Sequence, residues 1–437
     1  MRTKQNANSG FVGEKNGLLN QHGAEKNKVR DSNLELLRIV AMFMIIAHHC
    51  VLHGGAYTSA SETNILISYF FIPGGKLGFD AFLALSMWFL VDRQFSSKRF
   101  LKMWTEVFFY SVVFAGVSVA FAAGPVGAEG WVGVFFPMIG NSHGFAAAYL
   151  VFYLLIPFLN KLMSRLTKAQ TGFLLAVVFL MQVVSVVLGS YTQYYQQFPS
   201  EIILFVFIYI LMVYLKRYPL KMLSFKSVTL GIFVACWGIV FTVWVFYNRD
   251  TTNEGLRYFW SAFMNNESSL LYIVGGVSLF FFFKNLKIPK SKVINFIAKP
   301  TFGVLLIHDH NFFRYPFWSN IVHTADWYTT AWFPLIVLGV SAATFIGCGA
   351  IELLRAYLLE RPLFRIGAID RFCKKMDMVL NREPRAEAAK VGTESVGTDG
   401  GGGVNISAEK ESTPRENHTE SGTESEKEQS GGGVDSV

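Results

Sequence analysis

Ten apolar runs, at about 34–52, 77–94, 104–123, 146–162, 171–190, 200–215, 228–247, 267–283, 302–320 and 331–354, leave this chain little choice of fold. Each is near the ~20 residues that carry an α-helix across a ~30 Å hydrocarbon core. In lipid every backbone N–H and C=O needs a partner inside the protein, and a single run supplies them all only as a helix. The ninth run is the weakest, because His308, Asp309, His310 and Arg314 interrupt it; without it the count is nine. The predicted fold class is all-α, a polytopic bundle of about ten transmembrane helices.

The charges test that count independently. Only 16 % of the 437 residues are charged, against about 25 % in soluble domains. The net charge of +8 does not point to nucleic acid, because the basic residues sit in short loops rather than on an amphipathic face or a basic arm. Alternate junctions hold them: Arg93, Lys98, Arg99 and Lys102; Lys161, Arg165 and Lys168; Lys216, Arg217, Lys221 and Lys226; Lys284, Lys287, Lys290, Lys292 and Lys299. The other junctions carry only Lys76, Arg249, Arg257 and Arg314. By the positive-inside rule both termini are cytoplasmic, and the expected location is the cell membrane, crossed many times, with anionic lipids as neighbours. Residues 1–32 and 376–437 are polar, Gly-rich and without periodicity, so they are expected to be tails around a membrane domain at 33–375. No cleavable signal peptide is expected, since the polar stretch precedes the first apolar run. Cys50, Cys236, Cys348 and Cys373 show no CxxC spacing and read as small apolar residues.

Within the first run, Arg38 and His49 are eleven residues apart, close to three turns, and so share a face about 16 Å apart along the axis. Charged groups in a membrane helix are costly and face a polar cavity or a partner. Two readings of Arg38 stand side by side: it snorkels to headgroups and pairs with Glu35, or it serves a site. His48 points about 100° away and reads as a packed or water-facing ring. His49 and His53 have the i,i+4 spacing of a metal pair, but no third ligand is evident, so no metal is expected. Glu352 and Arg355 are expected to pair across one turn.

An Arg followed ten residues later by a His on the first helix resembles acyltransferase family three, the membrane acyltransferases that include O-antigen and exopolysaccharide O-acetylases. Later segments are similar to the same family in the same order. Gly75-Lys76-Leu77-Gly78-Phe79-Asp80 leads to Ser86, with Met87-Trp88 in place of the usual Gly-aromatic pair. Ser97-Lys98-Arg99 opens the third helix, with Lys102 where Arg is common. Tyr149 to Asn160 resembles the fourth-helix signature, and Thr301-Phe302-Gly303 to His308 the late Gly-aromatic-Leu-x-His segment.

That resemblance implies acyl-CoA, commonly acetyl-CoA, as donor and Arg38 and His49 as the essential pair. It implies O-acetylation of a cell-envelope polysaccharide or lipid. Arg38, Lys98, Arg99 and Lys102 would hold the donor's phosphates at the cytoplasmic face, with the pantetheine arm running beside helix one. His49 would deprotonate an acceptor hydroxyl on a surface glycan or lipid. Asp80 has two readings: it orients His49 as a triad carboxylate does, or it caps the second helix. His308 is expected to contact substrate. The competing function is a transporter or flippase for a small anionic or lipid-linked substrate. It would show Gly/Pro-broken helices at midplane and internal repeats, and neither is evident by eye.

Overall fold

Apolar helices in a chain like this stack through shape rather than hydrophobic contrast, so small residues decide which pairs approach closely. The computed structural model describes residues 30–120, 127–138, 144–185, 201–249, 254–264 and 266–381. The described residues form helices and no strand. The expected tails, apart from residues 30–32 and 376–381, lie outside them.

Ten apolar helices follow the expected order: α1 Ser32–Leu52, α2 Glu62–Leu90, α3 Ser97–Ala120, α4 Gly144–Arg165, α5 Lys168–Phe179, α6 Glu201–Arg217, α7 Lys226–Arg249, α8 Leu270–Lys284, α9 Thr301–His308 and α10 Phe333–Arg355. An eleventh, α11, runs over Gly367–Leu380, past residue 375 where the sequence places the end of the membrane domain. Six have the length and hydropathy to cross a membrane: α1 to α4, α7, and α10 with its continuation to Leu363. The other four are shorter as described, so the described residues show an all-helical membrane protein with six helices long and apolar enough to span. The ninth run departs most. Its helix holds 8 residues, about 12 Å at 1.5 Å each, far short of the hydrocarbon core. It stops at Asp309, and the chain turns through Arg314–Pro316 and a π turn at Phe317–Ile321.

The second helix begins well before the expected residue 77. Pro73-Gly74-Gly75 reads as a turn in water, but in lipid the helix is retained and its glycines become a contact face. A Cβ at Gly75 would lie 2.2 Å from His48 Cγ, and one at Gly78 would lie 2.7 Å from the Ala41 carbonyl oxygen. Only glycine therefore lets α2 lie this close to α1. On its other side α2 meets α8, where a Cβ at Gly276 would fall 2.5 Å from Asp80 Cβ. Helix α1 is the most enclosed, packing against α2, α8, α9 and α10.

Loop hydrogen bonds gather the basic junctions at one end. Asn33 donates to the carbonyls of Phe283, Lys284 and Leu286 at 3.0–3.2 Å, which closes the C-terminus of α8. Asn160 donates to the carbonyls of Leu90 and Arg93, and Lys216 to that of Val91. Asp92, in the left-handed region at φ 62°, is fixed there by Asn160 and by Arg217 at 3.2 Å. At the opposite, far end Asn64 donates to the carbonyls of Tyr328 and Thr330.

Candidate active site

The last turn of α1 places His49 and His53 one above the other, and the end of α9 brings His308 and Asp309 against them. His308 Nδ1 lies 2.6 Å from the Val304 carbonyl oxygen. A carbonyl only accepts, so this nitrogen carries the proton and Nε2 of the neutral ring is left as an acceptor. That Nε2 lies 3.0 Å from His49 Nδ1. His49 must therefore donate through Nδ1, and its own Nε2 keeps an unshared lone pair. Among the described residues Nε2 takes no partner. Asp309 sits 3.6 Å from His49 Nδ1 and 3.9 Å from His53 Nε2, and 2.6 Å from Arg314 Nε.

His49, His53, Asp309 and Arg314 line one side of a cavity of about 680 Å³, with His308 buried behind them. Its opposite wall is polar as well. Lys76 of α2 pairs with Glu267 at 2.5 Å, Gln182 donates to Ser268 at 2.6 Å, and Glu201 approaches the rim where Gly144 leaves room for its carboxylate. Phe79 and Phe145 supply aromatic faces, 5.0 Å apart by centroid and nearly perpendicular. The cavity reaches down α1 as far as Ile45 and does not include Arg38.

His48 borders the same cavity, with its ring 5.2 Å from that of His49, but its Nδ1 is committed elsewhere. It is buried, donates from Nδ1 to the Ile72 carbonyl at 2.6 Å, and packs on Gly75. His310 is buried too, with its ring 4.8 Å from that of Phe114.

Asp80 is not where either expectation puts it. Because α2 starts at Glu62, Asp80 lies inside the helix and cannot cap it. No hydrogen bond or ion pair joins it to His49 among the described residues. It is fully buried against α8, and neither carboxylate oxygen has a hydrogen-bond partner. The carboxylate beside His49 belongs to Asp309. Asp309 also completes a set with His49 and His53 whose ligand atoms lie within 4.8 Å of one another. The sequence showed no third ligand beside His49 and His53; the fold supplies one in Asp309, whose carboxylate also pairs with Arg314 at 2.6 Å.

The four cations expected at the donor end divide in two. Lys98 pairs with Asp370 at 3.3 Å and Lys102 with Glu360 at 2.7 Å. Arg38 makes one long contact with Glu35 at 3.5 Å, and half-buried Arg99 has no ion pair among the described residues. Tyr149 lies within electrostatic range of both arginines, and Ser86 donates to the Phe82 carbonyl at 2.9 Å. The expected pair of Glu352 and Arg355 forms, inside a larger buried network that the sequence did not show. Glu352 binds Arg355 bidentately at 2.8 and 2.7 Å and accepts from Tyr110 at 2.9 Å, while Glu360 and Glu106 approach the same guanidinium at 3.1 and 3.6 Å. Gly303 permits this, since a Cβ there would fall 2.4 Å from Glu352 Cγ. Glu106 in an apolar run was the available signal.

A histidine cluster thus borders a polar cavity at one end of α1, and Arg38 lies toward the other end of the same helix. The family model described as "Acyltransferase domain" matches residues 31–352, and the chain belongs to this family, acyltransferase family three. No curated protein and no solved structure matches the chain.

Proposed function

We propose that the protein moves an acyl group, in the first instance acetyl, from acyl-CoA to a hydroxyl of a cell-surface glycan or lipid. The single observation that supports this most is the proton order of the histidine pair. With His308 bound to the Val304 carbonyl and His49 donating to His308, His49 Nε2 is a base aimed at no protein group. It removes the acceptor's hydroxyl proton as that oxygen adds to the acyl carbonyl carbon. The C–S bond then breaks, and the thiolate leaves to take up a proton. Positive charge that develops on His49 is shared with His308 and stabilised by the Asp309 carboxylate at 3.6 Å.

Donor phosphates suit the guanidinium forks of Arg38 and Arg99, which keep free donors. Lys98 and Lys102 would first have to exchange a carboxylate for a phosphate. The polar cavity at the far end suits an acceptor rich in hydroxyls. Mass spectrometry of surface glycans and lipids from cells with and without the protein tests the reading, together with acetyl-CoA titration of the purified protein. The expected results are acetyl esters that depend on the protein, and saturable binding. No ester difference and no binding would overturn it.

A further inference from the structure

Helix α11 carries three faces with different chemistry. One is docked on the protein: Asp370 pairs with Lys98 at 3.3 Å, Cys373 is buried, and Asp377 accepts the Ser97 backbone N–H at 2.6 Å. Asn381, just past the helix, exchanges two 2.9 Å hydrogen bonds with the backbone of Phe95. At 100° per residue, Phe372, Met376 and Val379 form a second face turned away from the first. Phe372 is 55 % and Val379 64 % exposed. Arg371 and Lys375 lie on the third with exposed Met378, next to Lys374, which pairs with Asp370 at 2.8 Å. A basic amphipathic face was not expected from the sequence, yet folding produces one here.

We propose that α11 is an interfacial helix that lies on the anionic lipid surface at the basic end of the bundle. Three observations favour lipid as the occupant. The helix is fixed to the first turn of α3, where that membrane helix emerges among the basic junctions. Its free apolar strip is the width of one helix face, which suits a helix sunk to the headgroup boundary. The flanking cations complement acidic headgroups, each contributing about 1 kcal/mol near such a surface. Docked in this way, α11 holds the α2–α3 turn and Lys98 at headgroup level.

The test uses the full chain with a spin label at Phe372→Cys or, beside the basic face, Lys374→Cys. The four native cysteines are buried, and substituting them with alanine leaves one reactive site. The protein is placed in nanodiscs of phosphatidylcholine alone or with phosphatidylglycerol. Collision with oxygen is compared with collision with a water-soluble nickel chelate. In anionic discs the label at 372 should meet oxygen and be shielded from nickel, and the label at 374 should do the reverse. Removing the anionic lipid should weaken the shielding at 372 at least about fivefold. If Phe372→Cys does not assemble, Val379→Cys places the label on the same strip. A label at 372 that meets nickel freely in both lipids would overturn the proposal. So would shielding with spin–spin broadening, which would mean a second copy covers the strip. Equal shielding in both lipids without broadening would overturn the part played by anionic headgroups.

Discussion

His49 and His48 are neighbours in sequence, but 100° of helix gives them different partners. Replacing His49 with Ala should lower acyl transfer by ~10²-fold or more, as loss of a general base does, with normal expression. His48→Ala should keep most of the activity, while losing a buried hydrogen bond worth about 1 kcal/mol. Equal losses of turnover would refute the assignment of roles by helical face. His308 acts through His49. Gln at 308 can still accept from His49 Nδ1–H, and Leu cannot, so His308→Leu should reduce kcat by at least about tenfold and Gln should recover part of it. The pH–rate profile should move with the Leu variant, which a purely structural role would not cause. At the other end of α1, Arg38→Lys keeps charge but loses the planar fork. Calorimetric titration of acyl-CoA should show about tenfold weaker binding, ~1.4 kcal/mol. Unchanged affinity would leave Arg38 as a headgroup anchor.

Close packing between elements sets the next group of expectations. Gly75→Ala drives a methyl group into His48, and Gly303→Ala drives one into Glu352. Each should cost about 1–3 kcal/mol as overpacking does, seen as a lower thermal midpoint in detergent. Gly116→Ala and Gly339→Ala serve as controls, because nothing lies within 4 Å of a Cβ there. The docking of α11 has its own pH dependence. Hydrogen bonds from Lys374 and Lys98 hold the Asp370 carboxyl below its ordinary range. A depressed carboxylate contributes fully above its unfolded value, about 3.9, and that contribution is lost as the pH falls through the folded value. Hydrogen-exchange protection of α11 should therefore be unchanged from about pH 7 to 5 and should fall only below about 3.9. Asp370→Asn should weaken it already at neutral pH.

For the whole molecule, the Asn33, Asn160 and Lys216 hydrogen bonds gather the basic junctions at one end, with Lys76 and Arg314 toward the other. The positive-inside rule orients such a bundle with its basic end in the cytoplasm. Tags at both termini should be inaccessible from outside intact cells, whereas one inserted near Asn253 should be accessible. Outside labelling of a terminus would reverse the orientation and, with it, the side on which Arg38 meets acyl-CoA. The order of apolar helices, the basic junctions and the shared face of Arg38 and His49 were legible in the sequence. Hydropathy, charge placement and helical period are properties of neighbouring residues, and lipid permits one local answer to them. The reach of α2 back to Glu62 was not legible, because Pro and Gly mean a turn in water and a packing face between helices in lipid. Nor was the partner of His49, since His308 lies 259 residues away. Only the packing of α9 on α1 sets Asp309 rather than Asp80 beside that ring. The same packing of distant elements commits Lys98 and Lys102 to Asp370 and Glu360 and leaves Arg38 and Arg99 as the more available cations.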